Sequence, residues 1–220
     1  KREKNKGGRN NKGSICIRHR GGGSRKLLRQ ISWLKKDFNG IVTGIEYDPQ
    51  RSSLIARVFD LDNKRFIYTI ATKYLYPGSK ISMGKNILDV RIGNKLPLLN
   101  IPAGSIISAV GHEKAIYARA AGTSCQLLQK GTTLSKIRIP SGEIKYIKSE
   151  AFATIGMISN ETHNLQVLGK AGKNRLKGFR PKVRGVAMNP VDHPHGGGGG
   201  KPSVTPWGRP TKGKPTKKKK

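Results

Sequence analysis

Residues 40–47 (GIVTGIEY), 54–59 (LIARVF) and 64–70 (KRFIYTI) are three short runs rich in Ile, Val, Phe, Tyr and Thr. Asp48-Pro49 separates the first two, and Asp60, Asp62 and Asn63 separate the second pair. β-Branched and aromatic runs divided by turn-forming residues predict β-strands joined by tight turns. In the third run Phe66, Tyr68 and Ile70 alternate with Arg65, Ile67 and Thr69, a period of two that predicts a strand buried on one face. Pro77-Gly78 supplies the next turn, before a short strand at 79–82.

Working outward, Pro97, Asn100 and Pro102 close this first unit and open a second, with a boundary near Asn100. Strands are expected at 104–110, 124–129, 134–139 and 143–147, spaced as in a small barrel. The hairpin 137–144 (IRIPSGEI) is the clearest local signal, with Ser141-Gly142 at its turn. Each unit has about 60 residues, close to the lower limit for a self-sufficient core. The expected class is therefore all-β, with no long helix.

Outside these units the composition changes. The chain has 220 residues, 44 Lys and Arg against 12 Asp and Glu, and a formal net charge of +32. Residues 1–36 hold thirteen Lys or Arg and one acid, residues 169–220 hold fifteen and one, and the 132 between them sixteen and ten. The near-balanced middle can collapse alone. The ends have too few large apolar residues to offset a backbone ordering cost of roughly 1–2 kcal/mol per residue, so they read as arms that order on a polyanion. No run of about 18 apolar residues exists, and Gly and Pro interrupt the basic residues too often for a surface helix. Folded RNA, with its narrow grooves, suits such arms better than a membrane does.

The segments GRNNKG (8–13) and RHRGGG (18–23) combine rigid guanidinium donors with glycines that let backbone N–H groups reach phosphate. They read either as a flexible basic tail or as an RNA contact through Arg9, Lys12, Arg18, His19 and Arg20, with Arg25 beyond. The richest segment is 180–198 (RPKVRGVAMNPVDHPHGGG), stiffened by Pro181, Pro190 and Pro194 and loosened by glycines 196–200. Its histidines lack the further ligands that zinc needs. Acid/base chemistry by His193 with Asp192 is disfavoured because neighbours in an extended segment point to opposite sides. RNA contact remains: imidazole can stack on a base or donate to phosphate, and Asp192 can accept from a ribose 2′-OH. The candidate RNA-binding residues here are Arg180, Lys182, Arg184, Asn189, Asp192, His193 and His195, preceded by Lys170, Lys173 and Arg175. Trp207 in VTPWG (204–208) has no core around it and is expected to stack on a base. Trp33, next to Ile31, is expected against the first β-unit. Lys73, Lys95, Arg119 and Lys145 could each be solvated or face phosphate. Cys16 and Cys125 are far apart, without a CxxC spacing, and read as free thiols. The chain opens at Lys1 with neither Met nor a signal-like apolar core, which is compatible with a removed presequence.

These residues resemble one family closely. GRNNKG and RHRGGG, IEYDPQRS (45–52), LPLLNIPAG (96–104), AGTS (121–124), IPSGE (139–143), LGKAG (168–172), RGVAMNPVDHPHGGG (184–198) and VTPWG occur in the order found in the universal large-subunit ribosomal protein L-two family, bacterial and organellar type. The resemblance implies a basic arm (1–38), an OB-fold RNA-binding domain (39–100), an SH3-like barrel (101–168) and a basic extension (169–220) reaching toward the peptidyl-transferase region. It further implies binding to large-subunit ribosomal RNA, neighbouring ribosomal proteins, a contact with the small subunit, and support of peptide-bond formation without catalysis. The family's sensitive histidine corresponds to His193. No cofactor is implied; magnesium enters only as an ion held by RNA phosphates and water. The chain departs from the family at 111–120 (GHEKAIYARA), in place of a glycine-rich lysine loop, and in a shorter link before VTPWG. The trimmed loops and many Asn, Ile and Lys residues point to an organelle, a mitochondrion before a plastid, with the bacterial cytoplasm as the alternative. Two rival functions stay in view: an RNA-acting enzyme using His193 and Asp192, and a free OB-fold nucleic-acid-binding protein.

Overall fold

The computed structural model describes residues 6–33, 37–84, 89–197, 204 and 210. Two compact units divide the chain: residues 25–167 form one, and 4–24 together with 168–220 form the other. Trp207 and residues 211–220 lie outside the described residues.

The first unit is all-β. Among the described residues, ten strands make one sheet in the order β3-β2-β1-β4-β5-β10-β6-β7-β8-β9. They are β1 (Phe38–Glu46), β2 (Ile55–Asp60), β3 (Arg65–Ile70), β4 (Lys80–Met83), β5 (Lys95–Pro97), β6 (Ile106–Gly111), β7 (Cys125–Gln129), β8 (Leu134–Arg138), β9 (Ile144–Lys148) and β10 (Phe152–Ile155). All neighbours run antiparallel except β4 and β5, which meet in parallel at Met83 and Lys95. Such an arrangement, a first set of strands β1–β4 and a second set β6–β10, agrees with an OB-like barrel followed by an SH3-like barrel. Among the described residues no helix is long and apolar enough to cross a membrane.

Alternation along the strands places two apolar cores. Val42, Ala56, Val58, Ile81 and Met83 point together under the first strands. Leu96, Ile107, Val110, Leu127, Ile137 and Ala153 do so under the second. β10 stitches the unit, pairing with β5 on one edge and β6 on the other, while its Phe152 packs into the first core. A third, smaller cluster of Ile31, Ile55, Ile70 and Ile158 lies against Trp33 and Tyr68.

The expected alternation in β3 is only partly realised. Ile67 packs on the first core, but on the opposite face Ile70 is buried while Phe66 stays exposed. The reason is that Ile31 and Ile158 cover only one end of that outer face.

Turns are tied by buried side chains. Asp60 accepts hydrogen bonds from the Asp62 and Asn63 backbone N–H groups and from Asn63 Nδ2, closing the β2–β3 turn. Burial pushes its carboxyl up, but these donors, with Arg65 beside it, prevail and hold it below the usual carboxylate range. In the β8–β9 hairpin Gly142 N–H donates to Ile139 and Ile139 N–H to Glu143, so Pro140-Ser141 form the turn proper and Gly142, at φ +86°, takes the left-handed position after it. Ser149 donates to the Gly131 carbonyl and accepts from Ser135 at 2.8 Å, which satisfies two buried hydroxyls.

Cys125 is buried in the second core, and burial pushes its thiol up to about 11. Cys16 is exposed. A thiol-alkylating reagent at pH 8 is expected to label Cys16 in the folded chain and spare Cys125, as read by peptide mass spectrometry. Because the unfolded chain ionises Cys125 near its ordinary value, the stability this burial contributes is full below about pH 8.5 and is lost as pH rises toward 11. Equal labelling of both thiols would contradict the packing of β7.

Candidate nucleic-acid interface

The second unit brings together the two arms. Among its described residues none is buried; the six-residue helix α1 (Ala171–Leu176) buries no side chain either. Backbone hydrogen bonds and close glycine contacts hold it instead. The described stretches 6–24 and 168–197 carry twelve Lys or Arg and one acid, Asp192, so internal neutralisation is impossible for most of them.

The first loop of the interface grows from Asn10. Its Oδ1 accepts the Lys12 and Ser14 N–H groups, each at 3.0 Å, and its own N–H donates to Ser14. This clamp, an Asn doing what its short amide side chain does well in turns, leaves Arg9 and Lys12 exposed on a tight projection.

From His19 onward the N-terminal arm runs against the C-terminal extension. Arg180 N–H donates to His19, Gly21 N–H to Gly178, and Ser24 N–H to Leu176. Arg20 pairs with Phe179 across this ladder, its guanidinium 4.2 Å above the ring centre. Gly23 crosses Gly178 so closely that a Cβ on it would stand 2.8 Å from the Gly178 Cα. His19, in left-handed backbone at φ +59°, lies 2.8 Å from the Pro181 carbonyl through Nδ1. A carbonyl only accepts, so that nitrogen carries a proton, and Nε2 is the ring nitrogen left for an outside partner.

The segment 185–197 is compact rather than extended. Asp192 and His193 N–H groups both donate to Asn189, Gly196 N–H donates to His193, and Gly197 N–H to Met188. The His193 ring sits on the backbone of Gly185, where any methyl group would overlap it. Its Nδ1 accepts the His195 N–H at 3.0 Å, which fixes the neutral tautomer with the proton on Nε2. The two imidazoles meet edge to face, 4.9 Å between centres. The expectation that Asp192 and His193 lie in extended chain is therefore corrected: Pro190 and Pro194 bracket a turn, and the partner of His193 Nδ1 is a backbone N–H rather than the Asp192 carboxylate.

Lys170, Lys173, Arg180, Lys182, Arg184, Asn189 and Asp192 are exposed, and Arg175 is half-buried beside Gly22, its guanidinium reaching the Phe179 carbonyl at 3.4 Å. Arg18 is exposed, and Arg25 falls in the first unit. Two undecided lysines of the β-unit are paired: Lys73 with Glu161 at 2.7 Å and Lys145 with Glu143 at 2.6 Å, each raised in pKa by its acidic partner. Lys95 lies 5.8 Å above the Phe152 ring, and Arg119 is exposed. Sequence reasoning missed Phe179, Gly178 and Gly185. For Phe179 and Gly178 the signal was present in the matching glycines of RHRGGG and KGF, which a close crossing of two backbones requires.

Residues 1–83 match the family model described as Ribosomal Proteins L2, RNA binding N-terminal domain, and residues 91–215 match Ribosomal Proteins L2, C-terminal domain. The chain belongs to the ribosomal protein L2 family. Among its relatives, the large ribosomal subunit protein uL2 of Dinoroseobacter shibae is 44% identical, the alignment covering 97% of this chain and 79% of the relative. The uL2 of Methylococcus capsulatus is 46% identical over 97% and 80%. A protein named uL2m from Reclinomonas americana is 46% identical over 96% and 80%. Within this L2-family chain the two matched regions supply one arm each to the second unit, so the interface is assembled from both.

Proposed function

We propose that this chain works as an RNA-gripping scaffold of a mitochondrial large ribosomal subunit, holding rRNA near the peptidyl-transferase region and meeting the small subunit. As an L2-family member it is a structural, non-enzymatic constituent of the large subunit that binds ribosomal RNA. The finer reading takes residues 39–100 as the OB-like domain and 101–168 as the SH3-like barrel. Both serve to place the arms, whose Arg9, Lys12, Arg18, Arg20, Lys170, Lys173, Arg180, Lys182 and Arg184 meet phosphates. Arg25 and Arg175 join them, and His19 Nε2, Asn189, Asp192, His193, His195 and Trp207 meet bases or riboses.

One observation carries the reading: a unit with twelve cations, one acid and no buried side chain among its described residues. Such a unit cannot offset its ordering cost internally, and a polyanion supplies the missing attraction by releasing its counterions. The turn at 189–197 supports scaffolding over catalysis, because His193 has its Nδ1 committed to the His195 N–H and so lacks a carboxylate to orient it as a general base. Support for the mitochondrion comes from the trimmed 111–120 loop, the Asn-, Ile- and Lys-rich composition and the likeness to uL2m.

Gradient sedimentation of extracts from fractionated cells tests this. The chain is expected to travel with mitochondrial large subunits, to stay with them when subunits separate at low magnesium, and to leave the RNA only at high salt. Large subunits depleted of it are expected to fail in joining small subunits. A chain found free at the top of the gradient would fit the free OB-fold module instead.

A further inference from the structure

The outer face of β1–β3 carries a second, independent feature. Strand register sets Lys80, Ile41, Phe59 and Phe66 side by side across β4, β1, β2 and β3, with their side chains on one face. Phe66 is 62% exposed, and its ring centre lies 5.2 Å from that of Phe59 with the planes tilted by 59°. One row along, Arg57 places its guanidinium 5.6 Å from the Phe66 ring centre. That arginine is held in place: its Nε donates to Thr43 Oγ1 at 3.1 Å and its head group pairs with Glu46 at 3.4 Å. Ile31, Ile158 and Trp33 pack around Ile70 at the other end of this face, and Ile31 and Trp33 line an open depression together with Phe66.

We propose that an unpaired base of ribosomal RNA stacks on Phe66, with Arg57 and Lys80 toward the phosphates on either side. The proposal rests on the rRNA-binding function above and adds a site that belongs to the first unit and not to the arms. An aromatic ring of this exposure costs solvation without a partner, and its surroundings decide which partner. Exposed cations border the strip, Lys80 at one end and Arg57 beside the ring, in a chain of net charge +32. A second copy of this chain would set those cations against like charge, whereas a nucleotide presents a π-face to the ring and its phosphates to the cations. Double-stranded RNA hides its base faces, so the ligand is a single-stranded loop, bulge or flipped base.

The test uses the full chain and large-subunit rRNA transcribed in vitro. Phe66→Ala is expected to weaken binding about 5- to 100-fold, the range for loss of one stacked base, with the salt dependence unchanged because no phosphate contact is lost. Phe66→Tyr, which keeps the π-face, is expected to bind within about twofold of the original. Ultraviolet irradiation should join a nucleotide to the peptide containing residues 65–70, and not in Phe66→Ala. The outward position of Phe66 lets both variants fold, which circular dichroism checks. Binding by Phe66→Ala equal to that of the original chain, or a cross-link from this peptide to a protein in assembled subunits, overturns the stacking site alone. Failure of the unaltered chain to bind rRNA would instead overturn the function on which it rests.

Discussion

Deletion of residues 169–220 is expected to lower affinity for large-subunit rRNA by on the order of 10³-fold at moderate salt and to flatten its salt dependence, and deletion of 1–24 is expected to do nearly the same. Counterion release alone would make the two losses add, since each arm is rich in Lys and Arg. The backbone ladder makes them overlap instead. His19, Gly21 and Ser24 bond to Arg180, Gly178 and Leu176, and Arg20 lies on Phe179, so each arm is the other's template. Removing either one leaves its partner without the ladder that shapes it. Consequently the double deletion should cost little more than either single deletion, a strong departure from additivity of the kind found for groups that act as one unit. Filter binding of the four proteins to rRNA between 50 and 300 mM salt measures this. Costs that add in full would mean that the arms grip RNA independently; an unaltered salt slope in either truncation would remove the arms from the interface altogether.

The sequence was most informative where a local rule was sufficient. Eight of the ten strands follow from β-branched and aromatic runs with turns between them, because period-two alternation and Asp, Asn, Gly and Pro punctuation are local properties. β5 and β10 escaped for different reasons. Pro97 reads as a breaker, yet it stands at the end of β5, opposite Phe152, where a missing N–H is tolerated. β10 is four residues long, lies between two neighbours and is buried at three positions, so it lacks the alternation that marks a half-buried strand. The pattern also misjudged Phe66, since the covering residues Ile31 and Ile158 come from distant parts of the chain. In the arms, charge and glycine content identified a polyanion-binding region, but the pairing of 19–24 with 176–181 is a long-range backbone match. No side-chain periodicity records such a match; only the glycines that permit it are visible.

Replacement of Gly185 by Ala is expected to weaken rRNA binding about 5- to 100-fold, which should exceed the effect of removing the His193 side chain itself. The imidazole of His193 rests directly on the Gly185 backbone, and a Cβ there overlaps the ring. The ring cannot simply rotate away, because Nδ1 holds the His195 N–H and the His193 carbonyl holds Gly196. Overpacking of this kind costs about 1–3 kcal/mol, and if the 185–197 turn is the form that meets RNA, that cost passes to binding. His193→Ala removes the ring without a clash and should impair assembly or translation only moderately. The pair then makes an internal control: in the double variant Gly185→Ala with His193→Ala the methyl group has room, so binding should recover to the level of His193→Ala alone. The same large subunits, checked for full occupancy, permit single-turnover peptide-bond formation to be measured. A catalytic base would lose on the order of 10² to 10⁴ in rate on His193→Ala with the RNA unaltered by chemical probing, and that result would restore the enzymatic reading. Indifference to Gly185→Ala, or a double variant worse than both single ones, would show that the ring does not occupy this seat when the chain is on its RNA.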